Sequence, residues 1–556
     1  MVDFKKMREE KKQSVVVNPI EIFRRLPKPA GINDIYTSQA EVLEEWFQRR
    51  NERDIVIKLH TGGGKTLVGL LIAQSVMNET HEPVLYLCPT KQLVNQIAAK
   101  SNQYGISSIA YETGNPGFPQ EFLASKSVLI APYEALFNGR SKFGVVGRGK
   151  EVVKPGAIIL DDAHVAYSRV RESFTLRVNR NDNSQKFDHL SNLFRKDADK
   201  DFPFAWPLIR DSFEYCHVLI SEDTFVITPY FPLIDLIPAF AQCPKRIYMS
   251  ATIADDSAII RTFDANKASV SKPITSNSLA GVGERMILVP EWMKIKTDSQ
   301  KSIKELAKWA AEDQKISTVI LTPSRYFADL WKDVAQVVSG PEVLHSIRKL
   351  QTGQSKGPFA FANRYDGIDL PGDACRILIF ANMPRGNNEY ENYLANSFEE
   401  SILNNTLAQK IEQGIGRGAR GSGDYCVILL LGKDVLSWIV RPQNAKYLTR
   451  ITRAQLTIGM DISQKITQPK EFEETILGCL NRNEDWVKYH AETLAELTEP
   501  DAVSIDQLEH AETERRALQL WRDGIFDKAA TKLTRYCETA KELDNETVTA
   551  QAERQK

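Results

Sequence analysis

The stretch VIKLHTGGGKTLVGLLIAQS, residues 56–75, sets a β-branched run against an apolar run of helical length, with three glycines, a lysine and a threonine between them. Gly62, Gly63 and Gly64 let backbone N–H groups converge on phosphate oxygens with no Cβ in the way, and a helix starting near Lys65 adds its positive end. In such a loop Lys65 reaches the terminal phosphates of a nucleotide and Thr66 ligates a magnesium ion. The strict GxxxxGK[ST] pattern would put glycine at Leu59, so a glycine-rich turn with a surface lysine is the plain alternative for this stretch taken alone.

Outward from the loop, residues 54–162 alternate short apolar runs (DIVIKL, PVLYLC, SVLIAP, AIILDD) with amphipathic segments of helical length. That alternation predicts an open parallel sheet with helices on both faces. A second series, MILVP, STVILT, GPFAFAN, RILIFAN and YCVILLL, starts after residue 285, so two doubly wound α/β domains in tandem are expected. The first spans residues 1–252, with an insertion at about 165–244 that is basic around RVNRNDNSQKF and then rich in aromatics and proline. Residues 253–284 read as an inter-domain linker, 285–435 as the second domain and 436–556 as a helical C-terminal region. Within that region, ALQLWRDGIFDKAATKLTRYCETA resembles one tetratricopeptide-type hairpin, and since a single copy cannot bury its face alone, an ordinary helix pair is the alternative.

With 42% hydrophobic and 26% charged residues over 556, the chain fits a soluble protein of several domains. Its N-terminus, MVDFKKMREEKKQ, lacks an apolar core, and runs such as CVILLLG fall far short of the roughly 20 residues that span a bilayer. No membrane association and a cytoplasmic location are therefore expected. The seven cysteines are scattered without a CxxC, as reduced buried thiols would be. A net charge of −1 requires any nucleic-acid contact to come from a local groove.

Two further stretches carry chemistry. AIILDDAH, residues 157–164, is an apolar strand ending in two carboxylates. Asp161 there can hold magnesium through water, and Asp162 can orient the attacking water. QGIGRGARG, residues 413–421, presents Arg417 and Arg420 three apart, a pair of guanidinium groups suited to charge building on a γ-phosphoryl group. Either stretch alone would pass for a solvated face.

Together, and in this order, these motifs resemble those of superfamily 2 helicases over about residues 35–432. The resemblance implies two RecA-like domains that bind ATP and Mg²⁺ and act on nucleic acid. Gln39 in YTSQAEVLEEW matches the family's adenine-reading glutamine, and Thr61, Gly62, Gly63, Gly64, Lys65 and Thr66 match its phosphate loop. CPTKQLVNQ matches the PTxxLxxQ motif, implying strand contacts at Pro89, Thr90 and Gln96. DDAH stands for the DEAH box, with His164 in a coupling role, and MSATI carries the coupling residues Ser250, Ala251 and Thr252. The motif around PSRYFADLW implies strand contacts at Thr322 and Ser324, and NRYDGIDLPGDACRILI implies nucleotide contacts at Gly367 and Asp369. Gln413 would sit beside the γ-phosphate, with Arg417 and Arg420 completing the site when the domains close.

The second-domain motifs and the insertion after the DDAH box are most similar to the DinG-like and xeroderma-pigmentosum-D-like branch, which implies 5′ to 3′ movement along single-stranded DNA. Three departures stand out. Only Cys88 lies between Lys65 and Asp161, so the branch's four-cysteine iron-sulfur site is not expected. The insertion is shorter than a full arch domain. Asp162 replaces the glutamate of the box. Phe202, Phe204, Trp206, Tyr230 and Phe231 of the insertion are candidates for stacking on bases, or for its core. The expected function is an ATP-dependent translocase or helicase, with a genome-maintenance or antiphage role by analogy. An RNA helicase, or an ATP-switched nucleic-acid sensor recruiting a protein partner through its C-terminal helices, are the alternatives.

Overall fold

The computed structural model describes residues 15–27, 34–59, 63–115, 117–148, 152–181, 204–220, 224–250, 256–276, 282–295, 299–340, 342–365, 368, 370–384, 400–419, 423–497 and 505–542. Strands β1 (Asp54–Lys58), β2 (Val84–Cys88), β3 (Ser108–Ala110), β4 (Val128–Pro132) and β5 (Ala157–Leu160) are followed by an insertion. It holds β6 (Leu176–Asn179), β7 (Cys216–Ile220) and β8 (Thr224–Pro229). The chain then returns through β9 (Arg246–Ser250) and β10 (Ile274–Thr275). Seven of these form a parallel sheet in the order β10-β1-β9-β5-β2-β4-β3.

The strands read as unbroken apolar runs because both faces of the sheet are covered. Ile55, Ile57, Tyr86 and Ile159 pack on one side with the Lys65–Thr80 helix, while Val56, Leu87, Ile158 and Leu160 pack on the other. Each such side chain, fully buried, contributes about 1.5–3 kcal/mol relative to exposure. β1 lies between β9 and β10, with Lys58 opposite Ser250 and Thr275. The loop after β1 therefore leaves the sheet beside the segment that follows β9.

The insertion is a small antiparallel sheet, β6-β8-β7, with Ile227 opposite both Leu176 and Val218. Beyond it, the stretch read as a linker is not a bare crossing. The Ser257–Phe263 and Lys267–Val270 helices and β10 all belong to the first domain, with Ile259, Ile260, Phe263 and Val270 in its core. A two-residue strand carries too little pattern to be recognised.

The second sheet, β11 (Glu284–Leu288), β12 (Thr318–Thr322), β13 (Gln336–Val338), β14 (Phe359–Ala362), β15 (Ile377–Ala381) and β16 (Tyr425–Leu431), is parallel in the order β11-β16-β15-β12-β14-β13. Its core continues past residue 435 into Leu436, Trp438, Ile439, Leu448 and Leu456. The helical C-terminal region divides between the two domains. The Arg450–Lys465, Pro469–Leu480 and Glu484–Leu497 helices pack on the second sheet through Ile458, Phe472, Ile476 and Trp486. The Ile505–Arg522 and Phe526–Glu542 helices form a hairpin turning at Gly524, and that hairpin docks on the first domain, where Leu508 and Ala511 join the core.

Candidate ATP site and nucleic-acid face

The phosphate loop runs from β1 to the Lys65–Thr80 helix, at the C-terminal edge of the sheet, where open α/β folds bind ligands. Gly64 has φ +75, and a Cβ there would lie 2.0 Å from Gln39 Nε2, so both the backbone and the space demand glycine. Gln39 is 4% exposed; its Nε2 donates to Gly63 O (3.0 Å) and its Oε1 accepts from Tyr36 N (3.1 Å). The adenine-reading candidate is thus mechanically joined to the phosphate loop. Thr66 is half-buried in the first turn of the helix; Thr61 and Gly62 lie outside the described residues.

Asp161 and Asp162 follow β5 directly. Tyr86 donates its hydroxyl to Asp161 Oδ2 (2.9 Å), Asp162 N donates to Asp161 Oδ1 (3.0 Å), and Tyr133 donates its hydroxyl to Asp161 O (2.7 Å). Burial, then the neighbouring Asp162 charge, push the Asp161 carboxyl up to about 7, with Lys65 and the Tyr86 hydrogen bond opposing. Asp162 sits in the left-handed region (φ +50), which turns its carboxylate toward the loop, and Lys65 Nζ is 3.8 Å from its Oδ1. Two carboxylates and an ammonium therefore converge at one strand edge. Nearby, Ser250 Oγ is fully buried without a hydrogen-bond partner among the described residues, while Ser250 O accepts from Leu59 N (3.1 Å). A glycine cradle, a buried carboxylate carrying an electrostatic penalty and an orphaned hydroxyl fit a magnesium-bound triphosphate. Thr66 and Asp161 would hold the metal, whose charge would offset that of the phosphates. His164 lies in the Ala163–Ser173 helix, and Ala251 and Thr252 lie outside the described residues.

In the second domain Gln413 is half-buried near the end of the Glu400–Ile415 helix. Arg417 Nε donates to Tyr365 O (2.8 Å) and Nη1 to Ile368 O (2.7 Å), so its guanidinium braces the loop after β14. Its expected role as a γ-phosphate ligand has to share the group with that bracing. Arg420, Gly367 and Asp369 lie outside the described residues.

A DEAD/DEAH box helicase family model matches residues 36–189, and a helicase C-terminal domain model matches residues 295–448, together more than half of the chain. The chain belongs to the superfamily 2 helicases. It is a nucleic-acid-dependent ATPase built on two RecA-like domains. Similar solved structures include XPD_APO, with 17% identity, covering 74% of this helicase and 98% of that chain, at a TM-score of 0.46. S. tokodaii Xpd4 has 17% identity, covering 73% and 98%, at 0.45. S. cerevisiae Dbp5 bound to RNA and ADP BeF3 has 15% identity, covering 83% and 96%, at 0.44. No curated protein sequence matches the helicase significantly.

The strand contacts expected on its nucleic-acid face fare unequally. Thr90, half-buried, caps the Lys91–Tyr104 helix, its Oγ1 accepting from Leu93 N (3.2 Å); Pro89 beside it is buried and Gln96 is half-buried. Thr322 is corrected: it is wholly buried and its hydroxyl is engaged with Phe361 O (3.3 Å) and Ser324 O (3.2 Å), so its side chain offers no surface. Ser324 is half-buried, and next to it Tyr326 is 71% exposed.

In the insertion, Phe231 is buried with Tyr215 and Leu518, and Tyr230 packs beside Trp521 of the C-terminal hairpin. Those two aromatics are core. Trp206 packs against the first-domain core, and Phe202 lies outside the described residues. Phe204 alone of the described candidates stands out, 60% exposed, its carbonyl held by Gly139 N (2.8 Å) and its ring 5.8 Å from the Arg140 guanidinium. Tyr86 and Tyr133 escaped sequence reading because an aromatic in an apolar strand or helix looks like core until its hydroxyl finds a partner.

Proposed function

We propose that this helicase tracks along single-stranded DNA in the 5′ to 3′ direction, each ATP cycle closing and opening the two domains. The observation that supports an active motor is the convergence of Lys65, Asp161 and Asp162 at the C-terminal ends of β1 and β5, beside Ser250. In this reading Gln39 reads adenine, Gly63, Gly64 and Lys65 hold the phosphates, and Thr66 and Asp161 hold Mg²⁺. Asp162 orients the attacking water, and Gln413, Arg417 and Arg420 come to the γ-phosphate from the second domain on closure, where charge develops.

The single-strand preference is supported by exposed aromatics. Phe204 with Arg140 above its ring, and Tyr326, offer stacking surfaces suited to unpaired bases of any sequence. Cys88 is buried against Ala131 O and carries no companion thiol in the stretch to Asp161, which supports a first domain without an iron-sulfur cluster. A cytoplasmic genome-maintenance or antiphage role accords with this reading. ATP turnover measured side by side with single-stranded DNA, duplex DNA and RNA tests the substrate. Displacement of a blocking protein from 5′ or 3′ ends tests the direction. Strongest stimulation by RNA would replace the DNA reading, and a single slow turnover with a long-lived bound state would replace the motor with a switch acting through a protein partner on the C-terminal helices.

A further inference from the structure

Two tyrosines that lie outside the helicase motifs meet on Asp161 from opposite faces of the first sheet. Tyr86 is in the middle of β2, opposite Ile159 of the neighbouring β5, and Asp161 N donates to Leu87 O (2.8 Å), which keeps the chain after β5 in step with β2. Side chains two apart on a strand share a face, so the Asp161 carboxylate follows Ile159 to the side covered by the Lys65–Thr80 helix. There the Tyr86 hydroxyl donates to Asp161 Oδ2 (2.9 Å). Tyr133, the first residue of the Tyr133–Leu136 helix, sits in the core of the other face and donates its hydroxyl to Asp161 O (2.7 Å). Both tyrosines are 0% exposed. The second carboxylate oxygen, Oδ1, accepts from Asp162 N (3.0 Å), so the residue is held at its backbone and at both oxygens.

Phenylalanine would fill either position with the same ring and no hydroxyl to desolvate, so packing alone does not call for tyrosine. What the hydroxyls add is direction: a hydrogen bond to a carboxylate fixes where its oxygens point. The Tyr86 ring has a second neighbour in the site. A Cβ on Gly69 of the Lys65–Thr80 helix would lie 2.8 Å from Tyr86 Cε2 and 2.6 Å from Met249 Cε, so glycine there lets the helix close onto the ring. One side chain thus meets the phosphate-loop helix with its ring edge and Asp161 with its hydroxyl. We propose that Tyr86 and Tyr133 are positioning residues that hold Asp161 ready for Mg²⁺, Tyr86 setting the carboxylate relative to the phosphate-loop helix and Tyr133 fixing the backbone beneath it. The inference rests on the reading of Asp161 as a metal-side carboxylate. Outer partners of this kind are typically worth about 10–100-fold in metal affinity.

The test follows the affinity of a fluorescent ATP analogue through a Mg²⁺ titration and in EDTA, with the Mg²⁺ concentration for half-maximal ATPase and the melting temperature measured alongside. Tyr86→Phe, which keeps the ring and removes the donor, is expected to need about tenfold or more Mg²⁺ for the half-maximal effect in both assays, while its affinity for the analogue in EDTA stays within about twofold of wild type. Tyr133→Phe, which acts through the backbone, is expected to shift the Mg²⁺ dependence in the same direction by a smaller factor. A purely structural role would lower the melting temperature and leave the Mg²⁺ dependence alone, and that result in Tyr86→Phe overturns the proposal, as does an equal loss of affinity with and without Mg²⁺. Should Tyr86→Phe not fold, an unshifted Mg²⁺ dependence in Tyr133→Phe overturns it. Asp161→Asn separates the two readings: with wild-type Mg²⁺ dependence in that variant, the metal-side reading of Asp161 fails and the proposal with it. A shifted Asp161→Asn beside unshifted tyrosine variants overturns the proposal alone.

Discussion

Lys65 sits in the phosphate loop with its ammonium 3.8 Å from Asp162, so the group that would meet the β and γ phosphates already leans toward the carboxylate that would orient water. Lys65→Ala is expected to abolish nucleic-acid-stimulated turnover, read as phosphate release, because the phosphates lose their fixed counter-charge. Asp162→Asn should stall hydrolysis with ATP bound, whereas Asp162→Glu should preserve activity or raise it by restoring the longer reach; single-turnover assays separate the two. The arginines part company. Arg420→Ala is expected to lower kcat about 10³-fold or more with little change in ATP affinity. Arg417→Ala should lower kcat and, by leaving the Tyr365 and Ile368 carbonyls without their donor, also cost about 1–3 kcal/mol of stability in a denaturant titration. The bracing role of Arg417 was not legible in QGIGRGARG, because it depends on a loop some fifty residues earlier in the chain. Lys65, Asp161 and Asp162 were legible, because their chemistry is set by short local patterns at strand ends.

At the scale of elements, β1, β2, β4 and β5 were readable from their apolar runs because sheets buried on both faces leave no polar alternation to confuse them. The insertion was readable only as a break in pattern. Its sheet pairs β8 with β6 from some fifty residues earlier, and spacing alone carries no trace of such register. Within it, burial, then Arg171, lower the His217 pKa to about 4, and burial, Arg285 and Arg482 do the same to His490 among the second-domain helices. Both rings are held neutral in the fold while the unfolded chain would protonate them near pH 6.5. The stability they confer is therefore complete above about pH 6.5 and is lost as pH falls toward 4. Melting temperatures should drop across that window, and His217→Phe should flatten part of the slope.

The molecule as a whole is stitched by contacts that span hundreds of residues. Glu514 is buried against Arg261 and His510, which outweigh burial and hold its carboxyl well below the ordinary carboxylate range. Its contribution is present above about pH 4.5 and is lost only as pH falls toward its depressed value, below the histidine window. Glu514→Gln, which strands the Arg261 charge, is expected to cost about 3–5 kcal/mol in denaturant unfolding at pH 7. The purified protein should also contain no stoichiometric iron by elemental analysis; bound iron would overturn the reading of its cysteines.

The docking of the last helices on the first domain bears on how the chain is made. Domains made early on the ribosome ordinarily fold while the rest is still being synthesised. Here the surface of the first domain is closed by residues 505–522, more than two hundred residues further along the chain, which cover Tyr215, Phe231 and Phe263 with Leu508, Ala511 and Leu518. A nascent chain that has not yet reached these residues would carry a finished nucleotide loop beside an open apolar flank. Synthesis of this hairpin is thereby built into maturation of the nucleotide-binding domain, and fragments that lack it would be marked for chaperones and proteases by the surface they expose.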